Sequence, residues 1–159
     1  MSDGSEFRFE KQRVGATLTL EPGTSVSGSF FVTGQLSHRA GAERVGDLLN
    51  SQSGFFPFEL RDGTTVLYNR AHVVAVALEA GVSEAEGDPG YELATHRHVG
   101  MLLSTGMRIK GTVAVYAPQG RDRLSDYSRS PQMFRYVVTQ KNTLIINAAH
   151  IVELMETAD

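Results

Sequence analysis

The feature that most limits what this chain can fold into is that much of it is written twice. Asn69-Arg70-Ala71-His72-Val73-Val74 returns as Asn147-Ala148-Ala149-His150-Ile151-Val152, a displacement of 78 positions. The same displacement lays Phe56, Phe58 and Leu60 on Phe134, Tyr136 and Val138. Upstream, Arg44-Val45-Gly46-Asp47 matches Arg123-Leu124-Ser125-Asp126 at 79, and Gly23, Val26, Gly28 and Phe30 match Gly106, Ile109, Gly111 and Val113 at 83. Displacements that change only between matched segments mean that the elements are kept while the loops vary. A repeat of this kind is one structural unit that covers its apolar face partly with its neighbour. The expected organisation is an N-terminal tail at 1–13, a first unit at 14–78, an acidic linker at 79–96 and a second unit at 97–156. Units of this size are marginal alone, so the two are expected to lean on each other.

Periodicity assigns the class. Val26, Gly28, Phe30 and Val32 alternate, as do Ile109, Gly111, Val113 and Val115, and a period of two reads as a half-buried strand. A glycine at the same place in both strands implies strong bending or a close backbone approach. Phe56, Phe58 and Leu60 alternate too, with Pro57 marking an edge or a strand start because it cannot donate to the ladder. Asp62-Gly63 and Lys141-Asn142 are turn positions, followed by Val66-Leu67-Tyr68 and Leu144-Ile145-Ile146. Val73 to Leu78 and Ile151 to Leu154 complete about five short strands per unit. One helical piece interrupts each: Glu43 to Asn50, with Val45, Leu48 and Leu49 on one face and Arg44 able to pair with Asp47, and a shorter version at Arg123 to Ser128. The predicted fold is therefore mainly β, two tandem small five-stranded barrels, each with a short helix in the long loop after the second strand.

Two strands joined by a very short turn of Asn, Ala and His, after an earlier strand with an embedded glycine, resemble the Sm-like small-barrel family. The likeness is strongest at Tyr68-Asn69-Arg70-Ala71-His72-Val73, which is similar to the strand-turn-strand signature of the bacterial host-factor type. The resemblance implies a bent five-stranded barrel, that signature between the fourth and fifth strands, subunits joined edge to edge into rings, and often RNA near the ring pore. The chain departs from the family in the long helical segment between Gly28 and Asp47 or Asn50, and in Arg129 standing where the first unit has Asn50.

Composition narrows the chemistry. The absence of cysteine excludes disulfides, thiolate metal sites and thiol nucleophiles. A formal charge of −3, with 41% apolar and 21% charged residues, is that of a globular protein without overall basic character. The polar start, Met1 to Glu10, and the shortness of the longest apolar run, Val73 to Leu78, point to a cytoplasmic protein with no membrane partner. Glu79 to His96 carries five acids and no Lys or Arg, and its Gly87-Asp88-Pro89-Gly90 reads as an exposed excursion.

No phosphate loop, nucleophile elbow or zinc-protease helix is present, so the expectation is a non-enzymatic protein without cofactor or metal. His72 and His150 have ring nitrogens able to bind metal, act as bases or stack on a nucleobase. Each also follows an asparagine at a tight corner, and the pattern favours Asn69, His72, Asn147 and His150 as structural turn residues. His96-x-His98 has metal-compatible spacing but no third ligand at recognisable spacing.

Residues 97–159 hold eight basic against five acidic residues, whereas 1–80 hold seven against nine. Arg108, Lys110, Arg121, Arg123 and Arg129, joined by Arg135 and Lys141 with Tyr116, Tyr127 and Tyr136 between them, are candidates for a nucleic-acid surface. The leading expectation is an oligomerising or protein-interaction module that works through exposed strand edges, three chains closing a ring of six barrels. RNA binding by the second unit is the alternative.

Overall fold

The computed structural model describes residues 11–34, 43–118 and 120–158; most of the N-terminal tail lies outside them. The elements in chain order are β1 (Lys11–Leu20), β2 (Thr24–Thr33), α1 (Val45–Asn50), β3 (Phe55–Leu60), β4 (Thr65–Asn69) and β5 (Val73–Leu78), then β6 (Thr95–Leu103), β7 (Arg108–Val115), α2 (Leu124–Ser128), β8 (Phe134–Val138), β9 (Thr143–Asn147) and β10 (Ile151–Glu156). Single 3-10 turns at Arg70–His72 and Ala148–His150 make the corners before β5 and β10, and two more lie at Ala85–Gly87 and Tyr91–Leu93.

All ten strands form one antiparallel sheet in the order β10-β6-β7-β8-β9-β5-β1-β2-β3-β4. The first half contributes β5-β1-β2-β3-β4 and the second β10-β6-β7-β8-β9, the same order in each. The fold is mainly β as expected, but its strands lie in one continuous open sheet: β5 does not pair with β4 of its own half but with β9, so the sheet runs on from one half to the other and stays open at β10 and β4.

Alternation predicts the buried faces. Phe30 and Val32 on β2, with Phe56 and Phe58 on β3, meet Leu18 of β1, Val45 and Leu49 of α1 and Val73, Val76 and Leu78 of β5 in one core. The Phe30 ring stacks on Phe56 at 5.4 Å and meets Phe58 edge-on at 5.1 Å. Val99, Met101 and Leu103 of β6, Val113 and Val115 of β7, Tyr127 of α2 and Val137 of β8 form a second core. Gly28 and Gly111 lie where strands approach closely: a Cβ on Gly28 would stand 2.1 Å from the Glu59 carbonyl oxygen, and one on Gly111 2.7 Å from that of Val138. Pro57 sits just beyond the last β2–β3 pair, Phe30 with Phe58, so its missing N–H costs no ladder bond there.

The acidic linker is exposed over most of its length, Gly87, Pro89 and Gly90 included, but it is anchored at one point. Glu84 and Ala85 are buried, and β6 already begins at Thr95, inside the segment expected to be linker. At six residues α1 is far below the length that holds a helix in water, and its surroundings hold it instead. The Asp47 carboxylate accepts from the Arg44 backbone N–H, the Glu84 carboxylate accepts from the N–H of Val45 and Gly46, and Val45 and Leu49 are buried. No helix among the described residues is long and apolar enough to cross a membrane.

Candidate functional site

The two halves of the sheet meet along one pair of strands, β5 and β9. β5 pairs with β9 through Ala75 with Ile146, Val76 with Ile145 and Ala77 with Leu144. Both faces of this seam are covered, each by a different core. Val73, Val76, Phe134 and Ile145 belong to the first core, while Val74, Ala75, Val137 and Ile146 belong to the second.

Polar groups fix the seam's register. The Asn147 side chain turns its own corner by accepting from Ala149 N–H, and its Nδ2 donates across the seam to the carbonyl of Val73 at 2.9 Å. His150 Nε2 lies 2.9 Å from the Ala71 carbonyl, to which only an N–H can bond, while Nδ1 lies 2.7 Å from the Ser104 hydroxyl. Asn50 closes a reciprocal pair with the backbone of Phe134, both distances 2.9 Å. Glu84, besides capping α1, accepts from the Tyr136 hydroxyl at 2.9 Å. Burial and the neighbouring Glu84 carboxylate both push the Tyr136 phenol well above the ordinary tyrosine range.

Pairing across the hairpins corrects one expected correspondence. Phe55 faces Asn69 and Phe134 faces Asn147, so Phe134 is the counterpart of Phe55, not of Phe56, and Tyr136 is that of Pro57. The turn between β3 and β4 is one residue longer than that between β8 and β9, which absorbs the slip: Leu60 N–H bonds Thr64 O in the first, Thr139 N–H bonds Asn142 O in the second. A one-residue slip exchanges the faces of a strand. Phe134 and Tyr136 therefore point across the seam to the first core, and Arg135 and Val137 point into their own.

This correspondence exposes a mismatch at the two free edges. Phe134 and Ile145, buried at the seam, are 2% and 0% exposed, while their counterparts Phe55 and Leu67 beside the free β4 edge are 60% and 63% exposed. On the other flank, Val74 of the seam is 0% exposed and its counterpart Val152 on free β10 is 63% exposed. Both edges thus carry the apolar groups of a seam without its other half. Isolated surface hydrophobes are ordinary, but these recur at matched positions on complementary edges.

The turn residues of the sequence pattern fall at those corners. Asn69 Oδ1 accepts from Ala71 N–H at 3.0 Å, as Asn147 does from Ala149. The two histidines differ. His150 is buried and bridges the halves, whereas His72 is exposed, with Nδ1 3.2 Å from the Glu21 carboxylate. Neither binds the backbone of its own turn through its ring.

The expected basic surface is not gathered. Arg108 and Lys110 open β7, where Arg108 lies 3.8 Å from Glu153, while Arg121, Arg123 and Arg129 lie beyond the other end of that strand around α2. Arg129 pairs with Asp126 at 3.5 Å. Arg135 is buried and donates to the carbonyls of Gln132, Tyr127 and Ser130, and Tyr127 is buried too. His96 bonds the Tyr91 carbonyl and His98 lies 3.4 Å from the Thr112 hydroxyl. Among the described residues no three His, Asp or Glu side chains group as a metal site.

Sequence reasoning missed Glu84, since one acid in an acidic linker carries no signal that it will be buried. It also missed an exchange between the halves. In the first, buried Arg70 donates to the carbonyls of Leu48, Leu49 and Phe55 and lies over the Phe56 ring; in the second, Arg135 stands at the position of Phe56, and Ala148 at that of Arg70. Both guanidiniums tie down the end of a short helix, from different strands, so no aligned column reveals it.

No family model, curated protein or solved structure matches this chain.

Proposed function

We propose that this protein is a non-enzymatic assembly module, a tandem of two Sm-like small barrels that adds further copies of itself by pairing the β4 edge of one chain with the β10 edge of the next. One observation carries the reading: Phe55, Leu67 and Val152 are exposed at positions whose counterparts are buried where β9 meets β5 inside the chain. Transferring the internal register to the free edges sets Tyr68 against Glu153, Leu67 against Leu154 and Val66 against Met155 of the next chain. Strand edges left open invite such addition, and here β4 itself carries no charged residue to repel it.

The Sm-like reading draws support from five strands in each half and the short Asn-Ala-His corner between the fourth and fifth. The RNA alternative draws no comparable support from five cations split between two ends of β7. Because the two edges differ, the contact is heterologous and its repetition closes a ring or extends a filament.

Native mass spectrometry and sedimentation velocity of the full chain test the reading. Masses at whole multiples of the chain, growing with concentration and reduced by Leu67→Arg, are expected. A wild-type protein that stays monomeric at the highest soluble concentration overturns it.

A further inference from the structure

The same geometry carries one step further, resting on the assembly reading: we propose that the contact between chains takes up a proton on His72, which the seam inside the chain has no need to do at its own histidine. At the internal seam, His150 Nε2–H reaches the Ala71 carbonyl while Nδ1 faces the Ser104 hydroxyl. A hydroxyl donates to a neutral imidazole or accepts from a charged one, so this arrangement is satisfied in either state.

At the free edge the equivalent ring is His72, and Glu21 stands where Ser104 does: each follows the first strand of its half, and each takes the same ring nitrogen, Nδ1. In the transferred register, His72 Nε2 meets the carbonyl of Ala149 of the next chain. A carboxylate and a carbonyl only accept. Neutral His72 has one N–H, so one of its two nitrogens would turn a lone pair toward an oxygen; imidazolium satisfies both.

The other groups near this corner do not supply the missing hydrogen. Arg70, two residues away, spends its guanidinium on the carbonyls of Leu48, Leu49 and Phe55. On the next chain, His150 is engaged by Ser104 and Ala71, and Arg108 lies 3.8 Å from Glu153. Glu153 is the second titratable group the contact would cover, because it takes the place of Ala75 opposite Tyr68. The internal seam has no carboxylate at that position.

The experiment is sedimentation equilibrium of the full chain from pH 8 to pH 6, with Glu153→Gln as the background and His72→Gln and Glu21→Gln added to it. Each proton taken up as the contact forms changes association by up to about tenfold per pH unit. The Glu153→Gln protein is expected to associate roughly tenfold more tightly near pH 6.5 than near pH 8, with the dependence flattened by either added substitution. His72 and Glu21 are exposed, and unchanged melting confirms that both variants fold. Assembly that ignores pH, or that keeps its pH dependence without His72, overturns the proton uptake while leaving the edge pairing in place. Absence of assembly at every pH overturns both.

Discussion

Truncating the two leucine-sized residues at matched positions, Leu67→Ala and Ile145→Ala, should produce opposite kinds of damage. Ile145 is fully buried where β9 meets β5, packed with Phe134 and Val76. Removing its outer carbons deletes a filled volume inside the monomer, which typically costs about 2–5 kcal/mol of folding stability. Leu67, its counterpart on β4, is 63% exposed, so the monomer has little to lose. Burying a leucine fully contributes about 1.5–3 kcal/mol, of which roughly two-thirds remains to be gained when another chain covers the edge. Leu67→Ala should therefore weaken association by about 1–2 kcal/mol per contact, or roughly five- to thirtyfold. Urea denaturation of each variant, read beside sedimentation equilibrium of the folded protein, separates the two effects. Equal loss of folding stability in both variants, or an association constant unmoved by Leu67→Ala, would refute the correspondence between the seam and the free edge.

Three other outcomes follow from the geometry. Gly28→Ala should lower stability by about 1–3 kcal/mol in urea denaturation, since its Cβ would meet the Glu59 carbonyl, whereas Gly100→Ala, whose nearest neighbours are side-chain atoms at 3.4 and 3.5 Å, should be close to neutral. Glu84→Gln should cost about 1–3 kcal/mol, because the N–H groups of Val45 and Gly46 and the Tyr136 hydroxyl lose a charged acceptor; an unchanged denaturation midpoint would contradict its assigned part. Burial pushes Tyr127 up to about 12. Its neutral form is therefore the one the fold favours, so its contribution is intact below about pH 10 and is lost as pH climbs through 12. Ultraviolet titration of wild type beside Tyr127→Phe measures this directly, and identical alkaline melting profiles would count against it.

The elements were largely legible because each rests on a local rule. Alternation around Gly28 and Gly111 marked β2 and β7, the spacing of Val45 and Leu49 marked α1, and the Asn-x-Ala-His corners marked the tight turns. Register was less so. Aligning Phe56 with Phe134 matched two aromatic residues of like size, but a hairpin one residue longer in the first half moved the true partner to Phe55. Likewise Arg135 reads as a surface cation in sequence, since nothing local announces that three carbonyls at the end of α2 await it.

What the sequence determined by itself was most of the inventory: eight strand-forming segments, two short helices, and two closely similar corners, set by side-chain periodicity and turn chemistry within a few residues, with β1 and β6 left unassigned. Only tertiary structure decided that β5 would pair with β9 rather than close upon β4, and so which apolar faces are covered and which stand open. That choice depends on residues more than fifty positions apart satisfying one another, Asn147 with Val73, His150 with Ala71, Glu84 with Tyr136. Such bonds have no signature in any local window, because their energy exists only once both partners are in place.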